Sequence, residues 1–220
     1  RNKTDFALWK FSPKNKQRLM EWESPWGVGF PGWHIECSAM ALKYLGDKID
    51  IHCGGIDHIP VHHTNEIAQT ETITGERWVN YWMHGEFLVM KNGKMSKSNE
   101  NFVTVGKLIE RKLSPLAYRY YTLNTHYRKQ LTFSFEAIES AQAGLDRLYK
   151  TVRKYKDLVK NNDETNLSYL YLNKLLESVT NDLNFPIGIS VMWDMINDSN
   201  VENDMKYFTL LEMDKILGLG

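Results

Sequence analysis

The sequence runs to 220 residues with 27 basic and 27 acidic side chains, so its formal net charge is +0, which argues against a dedicated nucleic-acid-binding module with its usual positive surplus. A hydrophobic fraction of 42% supports a sizeable core and excludes wholesale disorder. The two cysteines, Cys37 and Cys53, exclude a disulfide scaffold and fit a reducing, cytoplasmic setting, and no apolar run is long enough to span a membrane.

The chain opens on RNKTDFALWK with no initiating Met, which reads as the middle of a longer protein. Residues 1–33 are broken by Pro13, Pro25 and Pro31 and by Gly27, Gly29 and Gly32, so they read as loop around one short element, DFALWK. Trp22, Trp26 and Trp33 crowd this stretch, either as core or as the wall of a small-molecule pocket. A helix is expected from His34 through HIECSAMALKYL, with Gly46 as its stop. DIHCGG alternates apolar and polar residues into a glycine turn, as a short strand does. A second helix is expected over His62 to Thr72, ending before Gly75, and YWMHGEFLVM reads as another strand. Asn92-Gly93 is a strong turn signal. Strands alternating with helices point to part of an α/β sheet with crossovers, whose ligands bind beyond the strand ends.

Between Lys91 and Gln130 nine basic residues face only Glu100 and Glu110, a local surplus that suits phosphates or simply a solvated face. Past residue 134, Ile138, Leu145, Leu148, Val152, Tyr155 and Val159 mark one apolar stripe of an amphipathic helix. KNNDETN breaks it, Leu172, Leu175, Leu176 and Val179 mark a second helix, and Pro186 fits the first turn of a third. The expectation is an α/β portion over 1–130 followed by an all-α bundle over 131–220.

Three groups of residues can carry chemistry. His62 and Glu66 are four apart and share a helix face; with Cys37 they offer an imidazole nitrogen, a carboxylate oxygen and a thiolate, all acceptable to zinc. His63, adjacent to His62, is expected to point elsewhere, towards the outer groups that surround the metal ligands. The competing reading is a buried free cysteine beside two helix-surface polar residues. In HCGGID, Gly54 and Gly55 admit a close backbone approach and Asp57 is placed to accept hydrogen bonds from a ribose diol, although a lone glycine pair is also a common turn. In NGKMSKSNEN, Lys94 and Lys97 ride a loop able to swing over a triphosphate, or form an ordinary exposed tip.

In this order GWHIECSAM, IHCGGIDHIPVHHTNEIAQTE and GKMSKSNENF resemble the cysteinyl-tRNA synthetases, with KMSKS at 94–98 as the second signature of the class I aminoacyl-tRNA synthetases. The likeness runs through LTFSFEAIESAQAGLDRLY and NDLNFP, essentially the whole chain. It implies the C-terminal half of a Rossmann-type catalytic domain followed by a helical bundle leading towards an anticodon-binding domain. It implies ATP-dependent activation of L-cysteine to an adenylate, with Mg2+ beside the ATP, and transfer to the terminal ribose of tRNA(Cys), in a monomer without a membrane partner.

The resemblance carries zinc ligation onto Cys37, His62 and Glu66, with one further ligand upstream. It makes Trp33 the cover of the substrate side chain, His52, Gly54, Gly55 and Asp57 the adenylate-binding strand end, and Lys94 and Lys97 the loop lysines, Lys97 against the ATP phosphates. Two departures stand out: the HIGH-type signature is missing, and Asn99 and Glu100 follow KMSKS where the family usually has Leu-Gly. Without an HIGH-type motif, the 220 residues alone are expected to be inactive. Two alternatives stay open: a related ligase passing cysteine to an amino sugar, and a non-catalytic RNA- or metal-binding piece. A zinc hydrolase is disfavoured because no HExxH occurs.

Overall fold

The computed structural model describes residues 2, 5–90, 103–160, 163–164 and 166–220. They form two compact units, Arg1–Gly85 and Glu86–Gly220.

In the first unit β1 (Trp9–Phe11) pairs antiparallel with β2 (Gly29–Pro31), and a further bridge joins Trp22 to Gly29. Helix α1 (Ile35–Leu45) follows, as its periodicity leads one to expect. Strand β3 (Ile49–Gly55) then runs into a 3-10 turn (Ile56–His58), a π-helical turn (Ile59–His63) and α2 (Thr64–Thr74). Gly75, at a φ of 73°, closes α2 in the left-handed conformation and its N–H caps the Glu71 carbonyl at 2.9 Å. Strand β4 (Val79–Gly85) lies parallel to β3, in register from Ile49 opposite Val79 to Gly55 opposite Gly85. Parallel strands need a crossover, and α2 supplies it, so β3, α2 and β4 form one βαβ unit. Its small core is Ile49, Trp78 and Val79, with Ala41 and Trp82 against them. Helix α1 is tied to α2 by the buried Ser38 hydroxyl, which donates to Gln69 Oε1 at 3.0 Å.

The single strand expected over YWMHGEFLVM is two. Strand β4 belongs to the first unit, whereas β5 (Leu88–Met90) pairs parallel with β6 (Leu131–Phe133). The break falls at Glu86, whose N–H leaves the ladder and donates to the Tyr127 carbonyl at 2.8 Å. Apolar residues on both sides of the break hide it from a pattern of alternation.

The rest of the second unit is helical: α3 (Val105–Glu110), α4 (Pro115–Leu123), α5 (Phe135–Leu158), α6 (Tyr169–Thr180), α7 (Phe185–Asn197) and α8 (Asn203–Leu217). Three of these start on hydroxyl caps: Thr104 for Lys107, Ser114 for Leu116 and Ser134 for Ala137, each accepting a backbone N–H. Pro115 and Pro186 stand in first turns, where a missing N–H costs nothing. The apolar stripe of α5 buries Ile138, Leu145, Leu148 and Tyr155 against Leu175, Met192, Met195 and Met213. Rossmann-like parallel strands followed by a helical region are the architecture the sequence leads one to expect. Among the described residues no helix is long and apolar enough to cross a membrane.

Candidate metal centre

The centre sits where α1, α2 and the C-terminal end of β3 meet. Cys37 lies in the first turns of α1, His62 in the π-helical turn and Glu66 in the first turn of α2. One ligand atom from each comes within 4.8 Å of the others. The π turn matters here: a widened turn just before α2 buries His62 and His63 together.

Glu66 is 0% exposed. Its Oε2 is held by His52 Nε2 at 2.8 Å. Its Oε1 lies 3.4 Å from His62 Nε2 and has no hydrogen-bond partner. A buried carboxylate oxygen without a donor is costly, and one facing an imidazole nitrogen and a thiol is prepared for a cation. Sulfur, nitrogen and oxygen donors together fit zinc. Burial and the nearby Glu66 and Glu36 carboxylates push the Cys37 thiol up from its ordinary value. A divalent cation reverses that balance, because it favours the thiolate.

Around this trio lies a ring of histidines: six of the seven in the chain, His34, His52, His58, His62, His63 and His84. His34 Nδ1 meets His62 Nδ1 at 2.6 Å, and His63 Nδ1 meets His84 Nε2 at 2.8 Å. His63 is held down to about 4, by burial first and then by His52, His84, His58 and His62; it is a neutral ring at neutral pH. His34 is lowered too, by burial and then by His62. His52, His63 and Glu66 form a second trio of potential ligand atoms within 4.8 Å, sharing the same carboxylate.

Trp33 is 61% exposed, and its ring stacks on His34 at 4.4 Å and on His62 at 5.1 Å. His52, Gly54 and Gly55 occupy the C-terminal end of β3, and Asp57 is exposed in the 3-10 turn beyond it. A Cβ on Gly54 would lie 2.5 Å from His63 Cε1 and 2.8 Å from His58 Nδ1, so only glycine lets this strand end pack down on the histidines. Lys94 and Lys97 lie outside the described residues. Of the basic stretch after residue 102, Arg111 lies over Phe135 at 3.7 Å, Arg119 donates to the Leu217 carbonyl at 2.7 Å and Arg128 pairs with Asp182 at 2.6 Å. These three serve the helical unit's own packing. Sequence reasoning missed His34, His58 and His84; the one available signal was the crowding of histidines between residues 34 and 84.

Residues 1–143 match the family model described as the tRNA synthetases class I (C) catalytic domain. The whole chain is similar to cysteine--tRNA ligase 1 of Burkholderia lata, at 48% identity over 46% of that protein, and to the cysteine--tRNA ligase of Treponema denticola, at 44% over 49% of it. The cysteine--tRNA ligase of Chlorobium chlorochromatii matches 94% of the chain at 41% identity. The chain thus spans about half the length of the curated relatives it matches. Among solved structures, the ternary complex of Agrobacterium radiobacter LeuRS with tRNA and LeuAMS covers 91% of the chain and 32% of its own, with a TM-score of 0.64 at 16% identity, a likeness of fold.

Proposed function

This chain belongs to the tRNA synthetases class I (C) family, and on that premise we propose that it serves a cysteine--tRNA ligase, activating L-cysteine with ATP and passing it to the 3′-terminal ribose of tRNA(Cys). The observation that carries the reading is the buried, unpartnered Oε1 of Glu66, turned towards His62 beside Cys37.

Cys37, His62 and Glu66 would hold one zinc ion, together with a further protein ligand outside these 220 residues. Bound there, zinc supplies a thiophilic Lewis acid that favours the substrate's thiolate, and so separates cysteine from serine where an apolar pocket could not. Trp33, lying across His62, covers the substrate side chain. His52, Gly54 and Gly55 shape the adenylate-binding strand end, and Asp57 accepts hydrogen bonds from the ribose. The substrate carboxylate attacks the α-phosphorus of ATP, accompanied by Mg2+, and pyrophosphate leaves. Lys94 and Lys97 offset the charge that develops on the phosphates, Lys97 directly. The 2′-OH of the tRNA terminus then attacks the carbonyl carbon of the adenylate, the ester forms as the bond to phosphate breaks, and AMP leaves. Among the described residues no side chain stands out as a general base, so in this reading positioning and electrostatics carry both steps.

In this reading residues 1–130 complete the catalytic domain and 131–220 connect it to the anticodon-binding part, and the enzyme is a cytoplasmic monomer. The lysines of the basic stretch 91–130, rather than Arg111, Arg119 and Arg128, meet the tRNA acceptor arm or ATP; a tRNA backbone contact weakens as salt rises, and a flat salt response of tRNA affinity would contradict it. Metal analysis of the full-length protein tests the ligand set: Cys37→Ala and Glu66→Ala each lower bound zinc, and unchanged zinc in both removes the assignment. Charging assays with tRNA and with an amino sugar decide the acceptor.

A further inference from the structure

His34 occupies an unusual place. It is the residue before α1, where Ser, Thr, Asp or Asn would ordinarily turn a side chain back to cap the helix. It makes no such bond. Its backbone sits at φ 80° and ψ −41°, near the rare positive-φ γ-turn region that a non-glycine residue enters only under strain. The ring is buried, 4% exposed, and pinned on two sides: Trp33 stacks on it at 4.4 Å and Phe6 meets it edge-on at 5.6 Å. Its Nδ1 lies 2.6 Å from Nδ1 of His62.

The two nitrogens of His62 therefore face different partners: Nε2 looks to Glu66 Oε1 at 3.4 Å, and Nδ1 looks to His34. We propose that His34 is a positioning residue for His62: from its strained backbone it accepts the His62 Nδ1–H, which fixes the tautomer that leaves the Nε2 lone pair free for the metal ion. This rests on the zinc reading above. One proton serves the Nδ1–Nδ1 contact. With Nε2 of His62 engaged by a cation, that proton must sit on His62 Nδ1, and His34 must present its lone pair and keep its own proton on Nε2. Metal-binding imidazoles usually donate their second N–H to a carboxylate or carbonyl. Here a neutral imidazole takes that part, and the helix cap is given up to place it.

The test uses the full-length protein and two substitutions. His34→Gly suits the backbone but removes the acceptor. His34→Asn tolerates positive φ and sets an amide oxygen close to where Nδ1 stood. By chelator competition, His34→Gly should bind zinc roughly 10–100-fold more weakly, the usual effect of losing an outer hydrogen bond, while His34→Asn stays close to the wild type. Cobalt absorption should shift in the Gly variant and be restored in the Asn variant, and the metal-free melting temperature of the Asn variant should match the wild type. Equal zinc affinity in wild type and His34→Gly overturns the inference alone, as does an Asn variant that folds normally yet binds no better than the Gly variant. If His34→Gly fails to fold, the Asn variant decides: wild-type affinity and cobalt spectrum support the role, and a tenfold loss with normal folding overturns it. A wild-type protein that binds no zinc overturns the functional reading and this inference with it.

Discussion

Replacing Glu66 by Gln should strengthen the metal-free fold and weaken metal binding at once. The carboxylate is fully buried, with Oε2 satisfied by His52 and Oε1 without a donor. An unsatisfied buried oxygen costs about 1–3 kcal/mol. Glutamine keeps an oxygen for His52 and turns its NH2 towards His62 Nε2, 3.4 Å from the atom it replaces. Relief of about 1 kcal/mol corresponds to roughly 4–8 °C in melting temperature for a unit of this size. The same change removes an anionic ligand, and the loss should exceed the roughly tenfold that even outer partners command. Zinc at about 100 times its dissociation constant contributes about 2.7 kcal/mol of stability, and a tenfold loss of affinity at the same zinc concentration cuts this to about 1.4 kcal/mol. Thermal melts of chelated and zinc-loaded protein read both effects. The variant should melt higher than wild type without metal and gain less on adding zinc. A lower metal-free melting temperature with an undiminished zinc increment would mean that Glu66 is neither an unsatisfied group in the metal-free fold nor a metal ligand.

In the helical unit, Leu145 is 0% exposed, so Leu145→Ala should cost about 2–5 kcal/mol by denaturant unfolding, whereas a loss below 1 kcal/mol would mean the bundle core is packed differently. Leu183 sits at a φ of 54°, directly after Asp182 at 56°, and Leu183→Gly should stabilise this unit by about 1 kcal/mol, read as a higher denaturant midpoint. Asp182 is held down to about 2 by hydrogen bonds from Arg128 and Tyr127. Its folded value lies below its unfolded value, so its stabilisation is present above about pH 3.8 and is lost as pH falls towards about 2. Asp182→Asn should flatten that part of the acid-unfolding curve; an unchanged acid limb would show that the pairing contributes nothing.

Much of this was legible in the sequence, for physical reasons that differ by element. The stripe of α5 shows because apolar residues at three- and four-residue spacing can only be one face of a helix. His62 and Glu66 declare themselves as neighbours because they stand four apart, and the π turn widens their spiral without separating them. Cys37 joins them through the packing of α1 on α2, which no local pattern announces, and the ordered motifs of the family supplied it. The partner role of His34 was hidden, because a histidine before a helix at positive φ matches no capping rule. The consecutive left-handed residues Asp182 and Leu183 were hidden too: the Asp182 carboxylate is held by Arg128 and Tyr127, more than fifty residues away, partners no local pattern announces. The break between β4 and β5 depends on which strand each half pairs with, and apolar alternation is silent about partners.

In the proposed function the site selects cysteine over serine for adenylate formation, and ATP–pyrophosphate exchange on the zinc-loaded full-length protein, with the two amino acids side by side, measures that selection. Exchange is expected with cysteine, lost on Cys37→Ala, and none above background with serine. Equal exchange with both amino acids, or none with either, would contradict it.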